Sequence, residues 1–310
     1  GRAAIYYMER TGGGPDENAE VVITAEGETS IRIGTQTTGQ GHETAWAQLL
    51  TDNLGLDWDQ EIALLPGDSD ALPVGGGTGG SRSTIMASRV IRLAAEDIVT
   101  KLTPAASEEL EAAPADVEFR AADGAFAVAG TDRTAPIKTV VKKAGGVTGF
   151  GRVSDTTPTF PNGCHVAEVE IDLETGRTTL AAYAMADDFG RIVNPILAGG
   201  QAQGGVVQGV AQAFLEAAAW APETGQPLTA SFMDYAIPRA DDLPALEPNF
   251  VEDAPCLTNP YGVKGGGESG TVAGIPAAVL AAQDALIRAG AGPIEAPFSP
   301  FRVWEALQAR

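Results

Sequence analysis

The sequence predicts an α+β fold in two lobes, mixing sheets of short strands with long helices. Two observations carry this. Short runs at 20–25, 29–34, 164–172 and 178–187 read as strands, with 164–172 alternating apolar and polar residues, the period of a half-buried strand. Longer stretches at 84–102, 203–218 and 273–289 are rich in small and apolar residues at helical spacing. Strands and helices that mix without a repeating βαβ pattern belong to the α+β class.

In chain order, 10–18 is a loop holding Gly12, Gly13, Gly14 and Pro15. The strands 20–25 and 29–34 turn at Glu26-Gly27-Glu28. A glycine-bearing loop, 35–41, leads into a helix over 43–54, in which Trp46, Leu49 and Leu50 share one face. Gly55 stops that helix in a left-handed cap. A strand at 62–65 ends at Pro66, and a loop through Pro73 reaches the glycine run 75–80. The helix over 84–102 follows, with Ile85, Val90, Leu93, Ala94 and Ile98 as core contacts. The acidic segment 107–116 reads as a short surface helix, and 117–119 with 125–128 as a hairpin around Asp123-Gly124. The Gly-, Thr- and Pro-rich stretch 145–161 is the expected crossing between lobes, placing them at 1–150 and 151–310.

In the second lobe, 164–172 and 178–187 pair around Gly176. A loop over 188–200, with Asn194-Pro195, feeds the helix 203–218. Extended pieces follow at 228–235 and 246–253, then a glycine loop ending at Gly270, the helix 273–289 and an amphipathic turn at 301–307.

Composition excludes several function classes. Against 20 basic residues stand 41 acidic ones, a net charge of -21. Such a chain lacks the basic face that nucleic-acid phosphates or an anionic membrane surface require. No apolar run is expected to reach the ~20 residues of a membrane span, and no signal peptide is expected from the Gly1-Arg2 start. Cys164 and Cys256 form no C-x-x-C pair, and His42 and His165 are the only histidines. The side chains therefore predict no iron–sulfur, zinc or multi-histidine metal site of their own, and favour a reduced, cytoplasmic setting. A phosphate-bearing cofactor stays compatible, because backbone amides and helix N-termini bind anions without Lys or Arg.

Four glycine-rich loops are expected to run into helix starts: Gly39-Gln40-Gly41, 75–80, Gly199-Gly200-Gln201 and 265–270. Each would present backbone N–H groups and a positive dipole end. They are read either as a cradle for a large anionic cofactor or as close-packing sites. The formal G-x-G-x-x-G matches, Gly75/Gly77/Gly80 and Gly265/Gly267/Gly270, lack a preceding strand, since Pro66, Pro73 and Pro260 interrupt the approach. Arg82-Ser83 is not a Walker ending.

Ser81 and Ser83 are either helix caps or anion ligands. His42 is either a cofactor contact or a packed histidine. Asp187-Asp188 reads as turn chemistry before it reads as a catalytic carboxylate pair, and Asp172 with Glu174 as a solvated hairpin. No G-x-S-x-G nucleophile setting exists. Glu268 is the one acid in the run from Lys264 to Gly270. It is either a helix-start residue favoured by the dipole or a general base beside a cofactor.

In order along the chain stand Thr35-Gln36-Thr37-Thr38-Gly39-Gln40-Gly41-His42-Glu43-Thr44, the run 75–83, Glu168-Val169-Glu170-Ile171-Asp172, Gly190-Arg191-Ile192-Val193-Asn194-Pro195, Gly200-Gln201-Ala202-Gln203-Gly204-Gly205 and Gly262-Val263-Lys264-Gly265-Gly266-Gly267-Glu268. This series resembles the C-terminal half of the molybdenum-binding subunit of the xanthine dehydrogenase, aldehyde oxidase and carbon monoxide dehydrogenase family, over nearly the whole chain. The resemblance implies a second molybdenum-cofactor-binding domain, with the metal held by a molybdopterin cofactor, in bacteria often as its cytosine dinucleotide, and not by side chains. It implies Glu268 as general base in oxidative hydroxylation of an aldehyde or N-heteroaromatic carbon, with water as the oxygen source. It also implies cofactor contacts from Gln40, Gly41, His42, Gly79, Gly80, Ser81, Ser83, Gln201 and Gly267.

One departure matters. The N-terminal half of that subunit, which lines the metal and much of the substrate pocket, is not in this sequence, nor are iron–sulfur or FAD modules. The resemblance thus implies partners: a chain or domain carrying the missing half, an iron–sulfur subunit and a flavin subunit. Two rival readings are a catalytically incomplete structural or cofactor-handling subunit, and a hydrolase using Asp187, Asp188 or Glu268.

Overall fold

The structure is a computed structural model that describes residues 1–14, 16–57, 62–72, 74–154 and 157–309. Pro15 and Pro73, given loop roles above, lie outside the described residues. The first elements are β1 (Arg2–Met8), β2 (Glu17–Ile23), β3 (Thr29–Ile33), α1 (His42–Leu54), β4 (Ile62–Pro66) and α2 (Ser83–Glu109). Then come β5 (Val117–Arg120), β6 (Ala125–Val128), β7 (Thr134–Pro136), α3 (Ile137–Ala144) and β8 (Val147–Val153). The second half holds β9 (Asn162–Ile171), β10 (Thr178–Asp188), α4 (Pro195–Phe214), β11 (Glu247–Phe250), α5 (Ser269–Arg288) and α6 (Pro300–Gln308).

These strands make sheets ordered β4-β3-β2-β8, β1-β9-β10-β11 and β5-β6-β7. Short sheets and long helices in this mixture are the α+β class the sequence predicts. Two apolar cores follow the sheets. In one, Val21, Ile31 and Ile33 meet Trp46, Leu49 and Leu50 of α1 and Ile91, Ala94 and Ile98 of α2. In the other, Ala167, Val169, Leu180 and Met185 meet Val206 and Val210 of α4 and Ala277, Ala281 and Leu286 of α5. The leading strand β1 pairs antiparallel with β9, Tyr6 opposite Cys164, so the chain's start lies in the sheet of the second half.

Local chemistry explains many elements. The β2–β3 hairpin turns where Gly27 takes φ 95°, and Gly55 caps α1 at φ 60°, conformations that cost glycine little. Asp123-Gly124 joins β5 to β6 as expected.

Five expectations are corrected. The crossing expected at 145–161 contains β8. Its glycines are strand positions that let α2 lie close, since a Cβ on Gly149 would fall 2.2 Å from the Ala94 carbonyl oxygen and one on Gly151 2.0 Å from that of Val90. Helix α2 does not stop at Leu102 but runs through Pro104 to Glu109, because Ile98, Leu102 and Ala106 continue one buried stripe. Its Leu93, expected in the core, is 38% exposed. The stretch 228–235 is a series of turns, where Tyr235 N donates to the Ser231 carbonyl, and not a strand.

The fifth correction bears on the site. Gly199, Gly200 and Gln201 are not a loop before a helix; they lie inside α4, which starts at Pro195. Proline suits that first position, and Asn194 caps it by accepting the Leu197 amide at 3.1 Å. The glycines further along α4 serve contact with α5: a Cβ on Gly205 would lie 2.9 Å from Gly270 Cα, and one on Gly209 2.7 Å from the Ile275 nitrogen. Helix α5 itself, with 20 residues at hydropathy 1.4, could cross a bilayer by length and composition alone. It packs instead against α4, β1 and β9 as a core helix.

Candidate active site

Glu268 stands exposed at the N-cap position of α5. The loop that delivers it is pinned on both sides. Lys264 N donates to the Phe189 carbonyl at 2.7 Å, and Lys264 Nζ pairs with Asp188 Oδ2 at 2.6 Å, both side chains largely buried. Gly265 N donates to Thr159 Oγ1 at 3.1 Å, and Thr159 is itself bonded to Thr11. A Cβ on Gly265 would lie 2.1 Å from the Ser81 carbonyl oxygen, and one on Gly266 2.7 Å from the Phe189 ring. These two glycines let the loop pass between Ser81 and Phe189, where a side chain would block it.

Ser81 meets Glu268 twice. Its Oγ donates to Glu268 Oε2 at 2.9 Å and accepts the Glu268 amide at 3.0 Å. Ser81 does so from φ 52°, a left-handed conformation uncommon for a residue with a Cβ. Gln201 reaches across from α4, its Nε2 donating to the Gly267 carbonyl at 2.7 Å.

The loop 75–83 is fixed from beneath by a buried ion pair. Arg82 Nη1 lies 2.9 Å from Glu17 Oε2, which also accepts the Gly76 amide at 3.2 Å. Ser83, the other candidate serine, is buried; its Oγ accepts from Thr35 at 2.7 Å and so ties this loop to 35–41. Thr78 Oγ1 strengthens the tie by donating to the Gln36 carbonyl at 2.5 Å. Beyond these anchors the loops are bare: at Gly39, Gly77, Gly79 and Gly80 an added Cβ would meet nothing within 4 Å.

Gly41 caps α1 at φ 79°, and a Cβ on it would strike the Leu197 side chain. The Gln40 amide folds back on its own loop, accepting from Thr38 Oγ1 at 3.1 Å. His42 is buried with its ring 4.0 Å from that of Trp46, and burial depresses its pKa from 6.5 to about 4. It is therefore a neutral, packed imidazole at neutral pH. Its buried Nδ1 has no hydrogen-bond partner among the described residues.

A large anionic cofactor fits this surface. The starts of α1, α2 and α5 carry no side-chain cap hydrogen bond, whereas α4 is capped by Asn194. Uncapped helix starts leave N–H groups and a positive dipole end for an anion. Three of the four expected loops supply such a start, and the exposed glycines beside two of them allow close backbone approach.

The paired-carboxylate reading of Asp187-Asp188 fails on strand geometry. Neighbours on a strand face opposite ways. Asp187 is buried, accepting from Tyr7 Oη at 2.6 Å beside His165 Nε2 at 3.0 Å, while Asp188 accepts the Gly190 amide and pairs with Lys264.

Glu9 was not singled out from sequence. It follows β1, accepts from Ser269 Oγ at 3.0 Å and lies 3.4 Å from Ser81 Oγ. Burial raises its pKa; the Ser269 hydrogen bond opposes this, and the charge of Glu268 adds to the rise. The sequence signal available was an acid directly after an apolar strand.

Two clefts lie elsewhere on the surface. One of about 590 Å³ is lined by Val169, Asp172 and Arg288, and one of about 570 Å³ by Arg191, Cys256 and Tyr261. Glu268 stands outside both.

Comparison with known proteins identifies the family. A family model described as a molybdopterin cofactor-binding domain matches residues 1–244. The 6-hydroxypseudooxynicotine dehydrogenase complex subunit gamma of Paenarthrobacter nicotinovorans is 32% identical over 97% of this chain and 39% of its own length. The nicotine 6-hydroxylase large subunit of the same organism is 35% identical over 94% of this chain and 37% of its own. A solved Cu,Mo-CO dehydrogenase superposes with TM-score 0.90 at 31% identity, covering all of this chain and 41% of that one. The chain thus spans about two fifths of the length of the relatives it matches.

Proposed function

The chain belongs to the molybdopterin cofactor-binding domain family, and from that premise we propose that it is the base-bearing, cofactor-holding part of a molybdenum hydroxylase. The observation that carries the reading is Glu268: an exposed carboxylate, locked by Ser81, beside loops whose glycines face open space.

In this reading the backbone of Gly79 and Gly80, with Gln40, Gly41 and the start of α1, approaches the molybdopterin group, as its cytosine dinucleotide. Gln201 and Gly267 hold α4 to the base loop, and Ser83 holds the two glycine loops in register through Thr35. Ser81 Oγ is engaged with Glu268, so its contact with the cofactor is through its backbone. His42 supports the head of α1 from within the core. When bound, the molybdenum–pterin group supplies the redox centre that takes two electrons from the substrate. Glu268 takes the proton from the water whose oxygen enters the product, at an electron-poor aldehyde or N-heteroaromatic carbon.

The remaining machinery lies on further polypeptide: the missing half of the molybdenum subunit, and iron–sulfur and flavin chains that carry electrons away. Two observations support this. The chain covers about two fifths of its relatives, and Ile196, Phe232, Met233 and Leu257 are between 85% and 95% exposed, apolar surface of the kind partners cover.

The test is purification of the assembled complex, metal analysis, and a Glu268→Gln variant. We expect molybdenum in the active complex, and loss of turnover in the variant with cofactor content intact. An active complex without molybdenum, or a variant that still turns over, rejects the reading.

A further inference from the structure

We propose that Glu9 is the proton-receiving partner of Glu268, reached through the Ser81 hydroxyl and held by Ser269; this rests on Glu268 being the base. Three chain segments far apart in sequence meet to make the arrangement. Ser81 Oγ lies 2.9 Å from Glu268 Oε2 and 3.4 Å from Glu9 Oε1. Ser269 Oγ donates to the other Glu9 oxygen, Oε2, at 3.0 Å. That leaves Oε1 as the atom facing Ser81.

A serine hydroxyl has one hydrogen to donate. With Glu268 ionised, Ser81 donates to it over the shorter leg. Once Glu268 has taken up a proton it becomes the donor, and the Ser81 hydrogen is released to turn toward Glu9. The proton on Glu268 Oε2 then passes to Ser81 Oγ as the Ser81 hydrogen passes to Glu9 Oε1. Glu268 is ionised again and Glu9 is neutral; no bond between heavy atoms changes. The left-handed backbone of Ser81 is what sets its Oγ between the two carboxylates, and the glycine at 265 is what lets the loop close over it.

The setting favours a proton on Glu9. It is half-buried, and its charged form is disfavoured by that burial and by the charge of Glu268. The groups facing it are Glu268 through Ser81, and Tyr7, whose phenol donates to the buried Asp187 at 2.6 Å and feels the charge of Glu9. Ser269, the first residue of α5, donates to Glu9 Oε2 from a fully buried position, so the receiving carboxylate is braced against the core.

Infrared difference spectroscopy across a pH series, on the full assembled protein, tests this. The wild type should show a protonated-carboxyl band that persists above the pH at which exposed glutamates ionise. Glu9→Gln should remove that band and lower turnover about tenfold or more at unchanged cofactor content. Glu268→Gln should keep the band but move its midpoint to lower pH by roughly one unit, because a neighbouring negative charge is gone. A band untouched by Glu9→Gln, a midpoint unmoved by Glu268→Gln, or full turnover in Glu9→Gln overturns the proposal. Those failures are separate from that of the base itself, which only turnover in Glu268→Gln would show; if Glu9→Gln does not fold, the midpoint in Glu268→Gln decides alone.

Discussion

Arg82 Nη1 and Glu17 Oε2 lie 2.9 Å apart with the two side chains only 5% and 0% exposed, and this pair joins the start of α2 to β2 under the glycine loop. Glu17 also accepts the Gly76 amide, and Arg82 also donates to the Gly77 carbonyl at 3.0 Å. Removing one partner breaks a buried pair, at a cost of about 3–5 kcal/mol. Glu17→Gln is therefore expected to lower Tm by many degrees and to release cofactor along with the loop. Thermal unfolding and cofactor analysis on the same sample check both parts.

The glycines divide into those that pack and those that face open space, and substitution should separate them. Gly265→Ala would place a Cβ 2.1 Å from the Ser81 carbonyl oxygen, so it should displace Glu268 and abolish activity. Gly79→Ala meets nothing within 4 Å. It should leave folding stability within about 0.5 kcal/mol of wild type yet weaken cofactor retention. Tm and molybdenum content, measured together, distinguish the two; normal retention in Gly79→Ala counts against close backbone approach there.

The α4–α5 contact makes a second contrast. A Cβ on Gly209 would lie 2.7 Å from the Ile275 nitrogen, a backbone atom that cannot swing away. Gly209→Ala should cost about 1–3 kcal/mol. Gly204 sits exposed in the same helix with open space around it. Gly204→Ala should instead stabilise by up to about 1 kcal/mol through helix propensity. Denaturant midpoints read the opposite signs.

His42 sets a pH dependence. Burial lowers its pKa from 6.5 to about 4, so between those values the unfolded chain binds more protons than the folded one. The stability that its neutral form contributes is present above pH 6.5 and is lost as pH falls toward 4. His42→Phe keeps a ring against Trp46 and removes the titration. Its Tm should fall less than that of wild type over this window, and parallel slopes would contradict the assignment.

Much of the fold is written locally. Gly27, Gly55 and Gly124 mark turns and caps at the positions where the chain needs positive φ, and alternation marks β3 and β9. Glu268 stood out because a lone acid among glycines is unusual within any single stretch. The start of α4 was not legible, because glycines that suggest a loop in isolation are used inside a helix to seat α5. The segment now seen as β8 failed for the same reason, its glycines serving α2. Glu9 was invisible because nothing near it in the chain explains it: its partners are 72 and 260 positions away.

The sequence by itself determined the strands and helices whose periodicity survives any packing, the strongly acidic charge balance, and the order of motifs that places the chain in its family. Only the tertiary structure decided which glycines touch backbone and which stay bare, and which polar groups surround Glu268. The physical reason is range. Propensity, caps and turns depend on a few neighbouring residues, whereas a hydrogen bond across 187 positions, such as Ser81 to Glu268, exists only once sheets and helices have brought both ends to one place.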